Sequence, residues 1–205
     1  MIDFIEFYSS AYGYVQTPAK PISPWDEDET YARLSALYEL EVARKSRNYI
    51  EDSDSIDMLF RTTRWLTAAG RKGLLLSGNY GNGKTTMLFA MSRFLGLAAK
   101  YRSANDLYDQ YAATGSLDLE ICHVKILLLD DLGAEPPRLN YYGETHYPLT
   151  RLLLKRYELN LVTVISTNLD YLGISEIYGA RIADRMKETF DLINFTHPSY
   201  RSRPA

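Results

Sequence analysis

The chain has 205 residues, 46% hydrophobic and 24% charged, with a formal net charge of −3. That length holds one α/β domain with an appendage rather than two full-sized enzymatic domains, and the balance excludes wholesale disorder and indiscriminate coating of nucleic acid. The single cysteine, Cys122, and the three histidines exclude an internal disulfide and a cysteine-rich zinc site.

The opening segment Met1 to Glu6 lacks the basic and apolar regions of a secretory leader, and no apolar run approaches the roughly 20 residues that span a bilayer. A cytoplasmic protein with no membrane partner is expected. From Thr17 to Pro24, three prolines lead into the acidic stretch Asp26 to Glu29, an extended connector. The pattern then turns helical from Glu29 to about Arg47, with Leu34, Leu37, Tyr38 and Val42 as the apolar stripe. Arg44, Lys45 and Arg47 gather near its C-terminal end, where the dipole favours cations; this cluster reads either as a solvated face or as a surface for phosphates, as does Arg201 with Arg203. A second helix is predicted from Ser53 or Asp54, carrying Ile56, Leu59, Phe60, Thr63 and Trp65 and ending at Gly70. Strands are predicted at Gly73–Ser77, Ala99–Ser103, Val124–Asp130, Leu161–Ser166 and Leu192–Thr196, separated by helical patterns. This is the rhythm of an α/β fold on a parallel sheet, and the continuous apolar runs Ile126–Leu129 and Leu161–Ile165 suit strands buried on both faces. Tyr108, Tyr111 and Tyr157 fall on helical patterns, where packing is the expected role.

Gly78, Asn79, Tyr80, Gly81, Asn82, Gly83, Lys84 and Thr85 spell G-x-x-x-x-G-K-[ST] between the first strand and a helical run of Met87, Met91, Phe94, Leu95 and Ala98. A triphosphate must be wrapped by backbone N–H groups, and the glycines let the chain curl without Cβ clashes. Lys84 then reaches the β and γ phosphates and the Thr85 hydroxyl ligates Mg²⁺, within a nucleotide-contacting set that runs from Gly78 to Thr86. The other reading of the octapeptide is an ordinary glycine-rich turn; the strand before it and the helix after it favour a nucleoside triphosphatase.

Downstream, the apolar run Ile126–Leu129 ends in Asp130 and Asp131. Asp130 is placed to hold Mg²⁺ through water, since that ion keeps much of its hydration shell. Asp131 either orients the attacking water or caps the following turn; being one C–C bond shorter than glutamate, it points to slow turnover. Ser166, Thr167 and Asn168 close a central strand at its carboxyl end, where open α/β sheets place ligands, so Asn168 either senses the γ phosphate or forms a turn. Arg181 and Arg185 share a helix face. They read as an arginine finger acting on a neighbouring subunit's nucleotide, or as surface charges paired locally with Asp184 and Glu188. Tyr141 and Tyr142 with Arg138 are candidates for single-stranded nucleic acid or an exposed loop with incidental tyrosines.

In order, these motifs resemble those of the AAA+ ATPases of the DnaC and IstB-like group, bacterial helicase loaders and transposition helper ATPases. The likeness runs from about Tyr49 to Arg203: Gly78–Thr85 as Walker A, Leu128–Gly133 as Walker B, Ser166–Asn168 as sensor 1, Arg181–Arg185 as box VII, and Pro198–Arg201 as the closing segment. Arg156 with Tyr157 matches a basic and aromatic pair common in the group. The resemblance implies a three-layer αβα P-loop fold with a five-stranded parallel sheet in the order 5-1-4-3-2, residues 49–205 as the ATPase domain, and residues 1–48 as an N-terminal extension with a helical segment. It implies Arg185 as the finger and Arg181 as its neighbour at a subunit junction. No helical lid subdomain is expected, and the extension matches no known helicase-binding or DNA-binding module. The implied function is ATP- and Mg²⁺-dependent loading of a replicative helicase, or help to a transposase, by a protein that oligomerises on single- or double-stranded DNA in the ATP state and is a monomer without nucleotide. A weakly hydrolysing nucleotide-switch adaptor and a small-molecule P-loop kinase are the alternatives.

Overall fold

The computed structural model describes residues 21–45, 47–69 and 73–196. Five parallel strands form one sheet: β1 (Gly73–Gly78), β2 (Ala99–Ser103), β3 (Ile126–Leu132), β6 (Val162–Thr167) and β7 (Phe190–Phe195). Their order across the sheet is β2-β3-β6-β1-β7, which is the expected 5-1-4-3-2 arrangement read from its other edge. The remaining two strands, β4 (Leu139–Tyr141) and β5 (Glu144–His146), pair antiparallel as a separate hairpin. Around them run α1 (Glu27–Arg44), α2 (Ser53–Thr67), α3 (Lys84–Leu95), α4 (Ala104–Thr114), α5 (Leu119–His123), α6 (Pro148–Glu158), α7 (Tyr171–Tyr178) and α8 (Ala180–Thr189).

Alternation along the strands sends successive side chains to opposite faces and so builds two cores. Leu74 and Leu76 of β1 join Leu128 and Val164 on the face covered by α1, α2 and α3; Leu75 joins Leu129 and Ile165 on the face covered by α4 to α8. Leu34, Tyr38 and Val42 of α1 lie in the same apolar cluster as Met87 and Met91 of α3, so this helix packs directly against the one that follows the glycine loop. An ion pair fastens the contact: the buried carboxylate of Glu41 accepts from Arg93 Nε on α3 and faces Arg44 at 3.5 Å.

Observed boundaries depart from the sequence expectations in three informative places. The first helix spans Glu27–Arg44, because Asp26 caps it by accepting from the Glu29 N–H at 2.8 Å. The last strand starts two residues early, at Phe190, whose ring lies where a Cβ on Gly73 would stand, only 2.3 Å away. Glycine is what lets that ring cross β1. The third strand runs on through Asp131 to Leu132 by way of a register shift between Leu129 and Leu132. Gly70, the expected helix stop, lies outside the described residues, as do His197, Pro198–Arg201 and Arg203. Among the described residues no helix is long and apolar enough to cross a membrane.

Candidate nucleotide-binding site

The loop from Gly78 to Gly83 leaves the carboxyl end of β1 and enters α3. At Gly78, φ is +149° and an added Cβ would stand 2.4 Å from the Phe195 carbonyl and 2.5 Å from Asn82 Nδ2. Side-chain bulk is therefore excluded where the loop turns. Asn82, 1% exposed, donates from Nδ2 to the Phe195 carbonyl at 2.6 Å and so ties the loop to the end of β7. Gly83, at φ +98°, is the N-cap of α3 and supplies no side-chain acceptor to the helix's first amides. By contrast α1, α2, α4, α5 and α7 each begin with an aspartate or serine side chain that accepts such a bond. The start of α3 thus presents N–H groups and the positive end of the helix dipole to whatever enters the loop.

Lys84 is 5% exposed. Its Nζ donates to the carbonyls of Gly78 at 2.7 Å and Asn79 at 2.8 Å, to Asn168 Oδ1 at 2.7 Å and, more weakly, to Asn82 Oδ1 at 3.3 Å. Burial pushes its ammonium down to about 8, against the opposing pull of Asp131 and Asp130. Beside it, Thr85 Oγ1 donates to Asp130 Oδ1 at 3.1 Å. The Asp130 carboxylate, 4% exposed, also accepts from the hydroxyls of Ser166 and of Tyr101, the latter at 2.8 Å on Oδ2. Two oxygen ligands, one from the first turn of α3 and one from β3, side by side at one end of the sheet, fit Mg²⁺, which takes one or two protein oxygens and fills its octahedron with water and substrate phosphate.

Asp131 has φ +54°, a consequence of the strand irregularity, and its N–H donates to Ser166 Oγ at 2.8 Å. Its side chain lines a cavity of about 430 Å³, together with Gly81, Lys84, Thr85 and Asn168. The sequence-nominated residues Tyr80, Gly81, Asn82, Gly83, Lys84, Thr85, Thr86, Asp131 and Asn168 line this cavity, Tyr80 being 74% exposed, while Gly78 and Asn79 meet it through their carbonyls on Lys84 and Asp130 through its bond with Thr85. Arg181 and Arg185 do not line this cavity. Arg185 donates to the Tyr157 hydroxyl at 2.6 Å, with its guanidinium 4.5 Å from that ring's centroid and Glu188 at 3.4 Å; Arg181, one turn earlier, is exposed. Arg156 is 1% exposed and bonded to Thr163 and to three backbone carbonyls. Sequence reasoning missed Tyr101, Ser166 as a clamp on Asp130, and the cavity residues Tyr38, Val42, Lys45 and Arg47; the only signal was the basic cluster at the end of α1.

No protein-family model and no curated protein matches the chain. Solved structures do. A DnaC helicase loader is 20% identical with a TM-score of 0.56, covering 72% of this chain and 93% of that one. DnaI is 23% identical with a TM-score of 0.57, covering 72% and 88%. AMPPCP-bound DnaA from Aquifex aeolicus is 17% identical with a TM-score of 0.53, covering 75% of this chain and 50% of that one. These likenesses show the fold, a five-stranded parallel α/β sheet with helices on both faces, as the motif order implied.

Proposed function

We propose that the chain is a Mg²⁺-dependent ATPase that serves as a replicative helicase loader, or as a transposition helper, and assembles on DNA under the control of ATP. The observation that carries this reading is the convergence of Lys84, Thr85, Asp131 and Asn168 on one cavity of about 430 Å³, with Asp130 bonded to Thr85 beside it. Fold likeness to a DnaC helicase loader and to AMPPCP-bound DnaA supports it. Lys84 neutralises the β and γ phosphates, and the amides of the loop and of the first turn of α3 hold the rest of the chain of phosphates. Thr85 and Asp130 would hold Mg²⁺, which when bound neutralises charge developing on the transferred phosphoryl. Asp131 orients the attacking water, and Asn168, already bonded to Lys84, senses whether a γ phosphate is present.

Hydrolysis in this reading needs a second copy, because the guanidiniums of Arg181 and Arg185 do not reach the cavity of their own chain. A head-to-tail contact puts them at the neighbour's γ phosphate, and such a contact builds a spiral or filament suited to gripping DNA. The exposed hairpin carrying Tyr142, with Tyr141 and Arg138, is the proposed base-stacking surface. The test is the ATPase rate per molecule over a hundredfold range of protein concentration, for wild type and Arg185→Ala. A rate that rises with concentration in wild type and stays flat and low in the variant is expected. Concentration-independent turnover with an unimpaired variant would remove the trans-acting arginine.

A second reading, a nucleotide switch that hardly hydrolyses, draws on Asp131, whose carboxylate is one bond shorter than glutamate and sits on a kinked strand end. Single-turnover measurements with and without single-stranded DNA separate the two, since a loader accelerates on DNA and a passive switch does not.

A further inference from the structure

Two cations at the C-terminal end of α1, Lys45 and Arg47, line the same cavity as the phosphate loop. Nothing in the hydrolysis scheme uses them. Lys45 Nζ donates to Thr86 Oγ1 at 2.8 Å and stands 5.7 Å from the centroid of the Phe89 ring, one helical turn further along α3. Lys84 lines the same cavity, with its Nζ on Asn168 and on the Gly78 carbonyl. A lysine in that position of the motif reaches the β and γ phosphates, so a bound triphosphate runs from Asn168 and Lys84 toward Thr86 and presents its α phosphate there. Lys45 already stands at that place. Exchanging a neutral hydroxyl for an anionic oxygen as its acceptor turns an ordinary hydrogen bond into a charge-assisted one, roughly twice as strong.

Resting on the nucleotide-site reading above, we propose that Lys45 is a ligand of the α phosphate and that through it the helix preceding the ATPase core registers nucleotide occupancy. The lysine is the C-cap residue of α1, and α1 is fastened to α3 by the Glu41–Arg93 ion pair, so a change of acceptor at Lys45 is transmitted to a helix already in register with the site. The α phosphate is common to ATP and ADP. Lys45 therefore contributes equally to both and reports an occupied site, whereas Asn168 distinguishes the two nucleotides.

The experiment is titration of the full chain with Mg–ATP and with Mg–ADP by calorimetry, for wild type, Lys45→Met, Lys45→Gln and Lys45→Arg. The methionine and glutamine variants are expected to lose affinity for ATP and ADP by the same factor, about tenfold, and arginine to recover most of it. Glutamine keeps a donor for Thr86 without the charge, so its loss reports the phosphate and not the fold, and melting temperatures of the ligand-free proteins check the latter. Wild-type affinity in both uncharged variants, or a loss several-fold greater for ATP than for ADP, overturns the assignment to the α phosphate. A wild type that takes up neither nucleotide overturns the nucleotide site itself, a result distinct from either.

Discussion

Lys84 and Arg156 are both buried cations, at opposite ends of the same sheet, and each is surrounded mainly by neutral oxygen atoms. Lys84, at the carboxyl end of β1, bonds to two loop carbonyls and two asparagine side chains. Arg156, at the end of α6, bonds to the carbonyls of Ile121, Val124 and Val162 and to the Thr163 hydroxyl, which gathers the amino ends of β3 and β6. Burial lowers both, the ammonium to about 8 and the guanidinium to about 10. What separates them is the neighbourhood. Lys84 borders a cavity of about 430 Å³ that it shares with Asp131 and Asn168, while the donors of Arg156 are spent on fixed backbone acceptors. A buried charge marks a binding site when its partners can be exchanged for a ligand, and a structural bolt when they cannot.

That contrast breaks most sharply at Lys84. Lys84→Ala is expected to weaken Mg–ATP binding by a hundredfold or more, about 3 kcal/mol, because several charge-assisted bonds to phosphate disappear. Its unfolding free energy should barely move, since the carbonyls of Gly78 and Asn79 reopen to the cavity and to water. Equilibrium titration beside urea unfolding checks both halves; unaltered nucleotide affinity would refute the site. The opposite pattern is expected next, at a smaller scale. Arg156→Met keeps the aliphatic stem in place but strands the buried Ile121 carbonyl and the half-buried carbonyls of Val124 and Val162, costing about 2 kcal/mol of stability while the nucleotide affinity of the folded protein stays within a factor of two. A variant as stable as wild type would show that Arg156 is not the bolt described here.

Both residues could be pointed to in the sequence, but only one could be understood there. The glycine loop and the carboxylates at Asp130 and Asp131 are local patterns set by spacing along one strand and one turn, so their place at the end of the sheet is legible. The strand order was legible only through the likeness of the motif series. Contacts between elements distant in the sequence are not: Tyr101 reaches Asp130 across 29 residues, Lys45 reaches Thr86 across 41, and Asn82 reaches the Phe195 carbonyl across 113. The β4–β5 hairpin reads as loop in the sequence because its turn is Tyr142-Gly143, with Tyr142 at φ +49° and Gly143 at φ +85°, where the familiar signal is asparagine or aspartate before glycine. The kink at Asp131 arises from a register shift in pairing, which leaves no mark in composition.

The comparison is sharpened further by pH. In the ligand-free protein the Lys84 ammonium titrates near 8, two units or more below an exposed lysine, because burial opposes its charge. A triphosphate placed against it reverses that balance and holds the proton, so binding requires the charged form. Below about pH 8 the free protein already carries this proton and affinity is flat. Above it, each further unit of pH removes about tenfold of the competent form, giving an expected weakening of about tenfold between pH 7 and pH 9. The same linkage demands that the protein take up a proton on binding ATP at pH 9 and almost none at pH 7, which calorimetry in two buffers of different ionisation enthalpy measures directly. Arg156, at about 10 and unconnected to the cavity, contributes nothing over that range. Absence of proton uptake at pH 9 in a protein that still binds ATP would mean that Lys84 does not change its partners on binding, and that the loop carbonyls hold it in both states.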